Sequence, residues 1–212
     1  LFVRGRGGAL ERGVALGQAN RGAAGKPVFA GRSADDALAA AVAAIEAEVG
    51  ALPEGYGSEV GLTASAWMRS AGDWLARGAL LVIDYGFPRR EYYHQQRTMG
   101  TLMCHYRHHA HGAPLWLPGL NDITAHVDFT AAAEAALEGG LDLLGYTTQA
   151  HFLINCGILD AMGLAATPRA SNEVYRLVSE AEMGELFKVL AVGRGVGADL
   201  IGFARGDRAH TL

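Results

Sequence analysis

Histidine is concentrated in one short part of the chain. Six of the eight histidines lie between positions 94 and 126, and the densest run is CHYRHHAH at 104–111. Because Cys and His are zinc ligands, one hypothesis is a zinc-dependent hydrolase. However, the run contains no His-Glu-x-x-His, the chain contains no Cys-x-x-Cys, and Arg107 would repel a cation. We therefore expect no metal site, and interpret these histidines as solvated loop residues with one or two substrate contacts.

Carboxylates are the second group with chemical potential. Asp84 directly follows the apolar run at 79–83, and Asp122 and Asp128 flank the segment ITAHV. In open α/β sheets, ligands bind beyond the carboxyl ends of the strands, which is where Asp84 would lie. Simpler roles are open for two others: Asp128 could cap a helix, and Glu59 could favour the dipole of a helix that it begins.

Two further motifs give weaker signals. The glycine-rich run GRGVG at 193–197 follows one predicted strand and precedes another, so it predicts a hairpin turn rather than a phosphate loop. No Gly-x-Ser-x-Gly elbow is present, which disfavours a serine hydrolase.

The elements that must position these residues follow from periodicity. Short apolar runs separated by glycine predict two or three antiparallel strands within residues 1–31. A helix capped by Ser33 would end at Gly50, and a second helix capped by Ser58 would place Glu59 in its first turn. The run at 79–83 lacks alternation, which is typical of a parallel strand covered on both faces.

The rest of the chain alternates similar elements. Residues 87–127 are polar and aromatic, and predict a long irregular loop of the functional kind. Asp128 or Thr130 would cap a short helix. The further predictions are a strand at 141–146, a helix from Thr147 or Thr148 to Met162, a helix from Ser171, and a terminal hairpin of strands 187–192 and 200–204.

Composition bounds the function. Half of the 212 residues are hydrophobic and the net charge is −4, which predicts a folded protein with no electrostatic footprint for nucleic acid. No apolar run approaches the roughly 20 residues of a membrane span, so we expect no membrane partner. Two cysteines, Cys104 and Cys156, favour a reducing compartment, here the bacterial cytoplasm.

Several blocks, spread over nearly the whole chain, form one set. The central blocks are GALLVIDYG at 78–86, GTL at 100–102, YR at 106–107, PG at 118–119 and DITAHVDF at 122–129. The flanking blocks are ERGV at 11–14, SEV at 58–60, TTQ at 147–149 with FL at 152–153, FKVL at 187–190 and GD at 206–207. Together these blocks resemble the MidA-like family of class I S-adenosyl-L-methionine-dependent methyltransferases.

The resemblance implies a fold and an activity. The expected fold is α/β, the carboxyl half of a Rossmann-like methyltransferase with an amino-terminal hairpin region at 1–31, a helical segment at 32–78, and the rest of the sheet at 79–212. Family members carry the glycine-rich cofactor loop further towards the amino end, so no cofactor-binding residue is identified here. We expect this chain to be inactive alone and its strand at 79–83 to lack a neighbour.

The family includes a mitochondrial complex I assembly factor that methylates a protein arginine. The resemblance therefore implies attack of a guanidinium nitrogen on the sulfonium methyl of S-adenosyl-L-methionine, with a complex I subunit as one candidate client. Carboxylates grip a guanidinium and stabilise its charge, so we assign Asp84 and Glu59 as catalytic. The residues predicted to line the substrate side are Tyr85, Gly86, Gly100, Thr101, Tyr106, Asp122, His126 and Asp128. A non-catalytic assembly partner is the alternative, and a homodimer is left open.

Overall fold

A computed structural model describes residues 1–5, 10–11, 14–16, 27–164, 167–197 and 199–212, and it is a mixed α/β structure, as expected. The strands are β1 (Phe2–Arg4), β2 (Leu10–Glu11), β3 (Val14–Leu16), β4 (Pro27–Phe29), β5 (Gly57–Ser58), β6 (Gly78–Phe87), β7 (Met103–Tyr106), β8 (His109–His111), β9 (Asp122–Thr124), β10 (Val127–Asp128), β11 (Asp142–Thr148) and β12 (Phe187–Arg194). The helices are α1 (Asp36–Val49), α2 (Leu62–Trp74), α3 (Arg89–Tyr92), α4 (Phe129–Glu138), α5 (Gln149–Asn155), α6 (Ile158–Leu164), α7 (Pro168–Val178) and α8 (Met183–Leu186), with 3₁₀ turns at Ile201–Phe203 and Ala209–Thr211.

The chain divides into two compact units, each made of two segments. The first unit comprises residues 1–60 and 90–126, and the second comprises residues 61–89 and 127–212. The sequence-based expectation of one methyltransferase domain stays a prediction.

The second unit is built on a four-stranded sheet in the order β10-β6-β12-β11. Strand β6 pairs antiparallel with β12 from Gly78 to Tyr85. It pairs in parallel with β10 only at its end, through Gly86 and Phe87. Among the strands that the structure describes, β10 pairs with no other residue of β6.

The prediction that residues 79–83 form a parallel strand covered on both faces is wrong. The main partner of β6 is antiparallel, and burial alternates along the strand. Leu80 and Val82 pack on the core, whereas Leu81 and Ile83 are 48% and 50% exposed. The expectation that this strand lacks a neighbour stays a prediction.

The core of the second unit lies between this sheet and helices α2 and α4. Phe129, Tyr146, Leu190 and Val192 are fully buried or nearly so, and the alanines of α4 pack around them. Small residues let the two helices approach closely, since a Cβ on Gly72 would lie 1.8 Å from the carbonyl oxygen of Gly139.

Two helices begin at other residues than predicted, because a different side chain caps the helix. Asp35, not Ser33, caps α1 by accepting the Leu38 N–H, and the helix ends at Gly50 as expected. Asp128 caps α4 through the Ala131 N–H, which confirms that alternative. Helix α7 begins at Pro168 after a Thr167 cap rather than at Ser171, because proline suits the first helical turn.

The second helix also begins later than predicted. Ser58 belongs to β5, and α2 begins at Leu62 after Gly61, so Glu59 precedes the helix instead of lying in its first turn. Further along, Thr148 caps α5 as expected, but the predicted helix to Met162 breaks at Gly157, whose φ of 85° is left-handed.

The predicted carboxyl-terminal hairpin is wrong. Strand β12 is present, but both of its edges are taken by β6 and β11. Residues 201–203 form a 3₁₀ turn instead of a strand. Phe203 of this turn packs against Gly145 of β11, where no Cβ stands in its way.

The first unit contains small antiparallel sheets. Strand β1 pairs with β2 and β5, β3 pairs with β4, and β7 lies between β8 and β9. The last of these sheets corrects the expectation of an irregular loop at 87–127. Arg12 and Gly13 of one family block lie outside the described residues. The longest described helix has 14 residues, and none is long and apolar enough to cross a membrane.

Candidate active site

Glu59 is the centre of a hydrogen-bonded cluster in the first unit. Its carboxylate accepts the backbone N–H of Thr101 at 2.9 Å and that of Leu102 at 3.3 Å. The hydroxyls of Thr101 and Tyr92 lie 3.2 and 3.3 Å from the same oxygen, Oε2. Because a carboxylate has about four acceptor sites, Oε2 is crowded, whereas Oε1 retains capacity for a further donor.

Four predicted site residues come together here. Thr101 Oγ1 accepts the backbone N–H of His126 at 3.0 Å, which ties that segment to Glu59. Gly100 has a φ of 69°, and a Cβ there would lie 2.4 Å from Glu59 Oε1. Glycine is therefore required both by the backbone conformation and by the carboxylate.

Two tyrosines of the cluster were missed from the sequence. Besides the contact of Tyr92 with Glu59, the Tyr93 hydroxyl donates to the Glu59 carbonyl oxygen at 2.9 Å. Both side chains are 2% exposed. The sequence feature that could have indicated them is the consecutive pair of tyrosines. A buried tyrosine needs a polar partner for its hydroxyl, so such a pair predicts nearby polar groups.

A largely apolar cavity of about 430 Å³ adjoins this cluster within the first unit. Phe2, Phe29, Met99 and Leu102 contribute to its wall, and Glu59 is the one charged side chain among the described residues that line it. The volume lies in the range of ligand pockets, in which a few polar groups orient an otherwise apolar ligand.

The charge of Glu59 affects the pKa of Tyr56. Burial raises the pKa of Tyr56, which is completely buried; Arg97 opposes the rise and Glu59 adds to it. The neutral phenol is therefore favoured beside the carboxylate.

Asp84, Tyr85 and Gly86 lie together at the end of β6 in the second unit. Asp84 is partly buried, and its Oδ1 accepts the Tyr85 N–H at 2.8 Å. The Tyr85 ring packs edge-on against Phe187. Gly86 is buried, and a Cβ there would lie 2.2 Å from the Val127 carbonyl oxygen, so the strand end fits closely against β10.

Asp128 lies in an ion-pair network with Arg89 and Glu134. Arg89 lies 3.6 Å from its Oδ2, and both side chains are about one-tenth exposed. Arg89 also donates to both carboxylate oxygens of Glu134. Burial raises the pKa of Asp128 to about 6, against the lowering effects of the Ala131 N–H and Arg89. Asp128 as a substrate contact stays a prediction.

Lys188 is a second basic residue at this end of the sheet that sequence reasoning missed. It lies opposite Asp84 in the register of β12 and β6 and is 5% exposed. Its ammonium donates to the Glu185 carbonyl oxygen and lies 6.0 Å from the centre of the Phe87 ring. The sequence signal was a lysine inside an otherwise apolar strand.

Tyr106 and Asp122 lie on the β8-β7-β9 sheet. Asp122 is the cross-strand neighbour of His105, and His105 and Tyr106 are consecutive, so Tyr106 and Asp122 point to opposite faces. Among the residues that the structure describes, no group of three or more His, Cys, Asp or Glu is placed to hold a metal ion.

The comparisons with known proteins bear on this arrangement. A family model described as "putative S-adenosyl-L-methionine-dependent methyltransferase" matches residues 1–147, which is more than half of the chain. The chain belongs to this methyltransferase family. The match agrees with the MidA-like resemblance of the sequence.

Two solved structures are similar to this chain over its whole length. An uncharacterised protein from Burkholderia thailandensis is 49% identical, with a TM-score of 0.89, and matches 100% of this chain and 56% of its own. A Burkholderia thailandensis protein described as a "likely methyl transferase" and bound to S-adenosyl-homocysteine has the same identity and TM-score, with 54% of its chain covered. The present chain thus spans just over half the length of these relatives. Among curated proteins, no significant match was found.

Proposed function

We propose that this chain is the carboxyl half of an S-adenosyl-L-methionine-dependent methyltransferase that modifies arginine in a protein, with a respiratory complex I subunit as its client. Family membership and the relative bound to S-adenosyl-homocysteine support the methyltransferase class. The observation that carries the arginine proposal is the lone carboxylate of Glu59 on an otherwise apolar cavity. A guanidinium on an aliphatic stem matches that chemistry. The client is taken from the family resemblance.

The glycine-rich run at 193–197 overlaps the end of β12, and the next described element is a 3₁₀ turn rather than a helix that could present its amino terminus to a phosphate. We therefore assign no donor-binding role within this chain and propose roles only for residues on the acceptor side.

Asp84 is the proposed contact to the reacting guanidinium. The strand fixes its backbone, and the Tyr85 N–H occupies Oδ1, which leaves Oδ2 to accept a guanidinium N–H and then its proton. The partly buried carboxylate would stabilise the cation without full solvation, so its interaction is stronger than on an open surface.

For Glu59, the other residue predicted to be catalytic, the proposed role is confined to the cavity of the first unit. Its crowded Oε2 orders residues 101–102, and its less occupied Oε1 is the atom proposed to accept from the substrate. In this proposal one side chain both shapes the pocket wall and supplies charge.

The test uses the intact protein and a conservative variant. Asp84→Asn keeps the acceptor for the Tyr85 N–H but removes the charge, so methyl transfer should fall by about 100-fold or more with unchanged thermal unfolding. The readout is radiolabelled methylarginine in acid hydrolysates of acceptor proteins. Asp142→Asn, an exposed aspartate in strand β11 of the same sheet, is the matched control and should leave transfer unchanged. Label in another amino acid, or full activity of Asp84→Asn, would contradict the proposal.

A non-catalytic assembly role is the second candidate. The exposed side chains of Arg107 and Trp116 in the first unit favour a binding role. If Asp84→Asn abolished methyl transfer but left assembly of the client complex intact, the binding role would be separate from catalysis.

A further inference from the structure

The segment at 92–121 has an unusual charge for this chain. It contains no Asp or Glu, two arginines and five histidines, so with neutral histidines it carries +2 while the remaining residues carry −6. Arg107, His108 and His109 are all exposed. The surface made by β7, β8 and the following loop to Asn121, here called the basic hairpin, contains one arginine, Arg107, and no Asp or Glu, and it lies wholly within the first unit.

The turn of the basic hairpin places two non-glycine residues in the left-handed backbone conformation. Arg107 and His108 connect β7 to β8 as a two-residue turn, with φ values of 48° and 67°. This left-handed pair defines a type I′ turn, for which Asn-Gly is the favoured sequence. A residue other than glycine costs about 1–2 kcal/mol in this conformation. Among the residues described, the non-glycine residues with positive φ are Arg107, His108 and Leu117, all in this segment.

The rest of the hairpin is well ordered by its own contacts. His111 Nδ1 accepts the Ala113 N–H at 3.2 Å, so the proton lies on Nε2, which donates to Asn121 Oδ1 at 3.2 Å. Trp116 packs edge-on against both Tyr106 and His111. Both nitrogens of His111 are thereby used in structure, and the folded loop supports an aromatic side chain that is 51% exposed.

We propose that the basic hairpin is a docking surface for an acidic, extended protein segment, with Arg107 and His108 pairing its carboxylates and Trp116 packing on an apolar residue. Arginine and aromatic residues dominate the binding energy of protein interfaces. The turn places Arg107 and His108 at the exposed end of the hairpin. Nucleic acid is disfavoured because a single arginine on the basic hairpin neutralises few phosphates. The inference does not depend on methyl transfer.

The test measures fluorescence anisotropy of a fluorescein-labelled peptide of consecutive glutamates flanking one leucine. The same peptide with glutamine in place of glutamate is the control. The chain should bind the glutamate peptide more tightly than the glutamine peptide, because only the glutamate peptide offers carboxylates to Arg107. Equal binding of the two peptides, or tighter binding of a DNA oligonucleotide of equal charge, would overturn the proposal.

One variant separates docking from folding. Replacing Arg107→Asn together with His108→Gly installs the favoured turn and removes the charge, so the melting temperature should be equal or higher while peptide affinity falls by about 10-fold or more. Arg107→Lys keeps the charge and should retain most of the affinity. Arg169→Asn, which removes an exposed arginine paired with Glu173 on α7, is the matched charge control and should bind as wild type. Wild-type affinity in the double variant would show that the hairpin does not dock the peptide.

Discussion

The two candidate regions hold their carboxylates by different means. Asp84 is placed by backbone pairing, since β6 is matched residue by residue to β12 up to Tyr85. Glu59 lies between β5 and α2, and its position is tied to the loop at 100–102 through its own side chain. In the second unit, strand pairing fixes the position of Asp84. In the first unit, the Glu59 side chain fixes the position of the loop at 100–102.

This difference separates activity from stability. Removing the charge of Asp84 leaves the ladder of β6 and β12 untouched, so the fold should not respond. Removing the charge of Glu59 weakens the acceptor for two backbone N–H groups and two hydroxyls, so the surrounding loop should respond. Substitutions ranked by their effect on folding can therefore break or sharpen the comparison.

Gly86→Ala should have the largest effect on stability, because the added Cβ would collide with the backbone of the neighbouring strand. The new Cβ would lie 2.2 Å from the Val127 carbonyl oxygen and 2.9 Å from the Phe129 ring, so β10 or β6 must move. We expect a loss of about 3 kcal/mol or more in unfolding free energy by urea denaturation.

A matched glycine tests whether the effect is local. Gly163 lies in α6 with no atom within 4 Å of an added Cβ, so Gly163→Ala should be neutral or stabilise by up to about 1 kcal/mol. Similar losses in both variants would mean that the close fit at Gly86 does not fix the strand end.

Asp128 makes the same strand end sensitive to pH. Its folded pKa of about 6 lies above the unfolded value near 3.9, so the folded state holds a proton that the unfolded state releases between those values. Stability from this group is present below about pH 4 and is lost as pH rises through about 6, a change of about 2–3 kcal/mol. Asp128→Asn cannot ionise, so the stability of the variant relative to wild type should rise across this interval. If denaturant titrations show that the stability difference between Asp128→Asn and wild type does not change with pH, this prediction is wrong.

Local sequence patterns predicted the second unit better than the first. The apolar run before Asp84, the cap at Asp128 and the cap at Thr148 rest on interactions within a few residues, and all are present. The errors there come from tertiary choices: β12 meets β11 and β6, so no edge is left for a strand at 200–204.

The Glu59 cluster was only partly predictable. The family blocks marked Glu59, Gly100, Thr101 and His126, but no local pattern indicates that a carboxylate at 59 accepts N–H groups more than forty positions away. Tyr92 and Arg89 were missed for the same reason, since their partners are chosen by the folded chain. The hairpin at 103–111 was missed because Arg-His is an unusual sequence for its turn.

Glu59→Gln is the direct test of the side-chain-held region. The amide still offers one oxygen, but its nitrogen cannot accept, so the N–H groups of Thr101 and Leu102 and the two hydroxyls compete for one acceptor. We expect a loss of about 2 kcal/mol and faster amide hydrogen exchange at residues 101–102. Glu91→Gln, an exposed glutamate in the same unit, serves as the control. Unchanged exchange at 101–102 would mean that Glu59 does not hold this loop, and the contrast with Asp84 would disappear.

Thr101 offers the finest dissection, because its hydroxyl links the carboxylate of Glu59 to the backbone of His126. Thr101→Val keeps the shape and the backbone N–H but removes the acceptor for the His126 N–H, so we expect a loss of about 1 kcal/mol. Thr101→Ser keeps the hydroxyl and should retain slow hydrogen exchange at the amide of His126, whereas exchange in the valine variant should accelerate. If the serine and valine variants exchange alike, the link to His126 is made by packing of the γ-methyl group. In that case the loop would be held, like the end of β6, without dependence on a polar side chain.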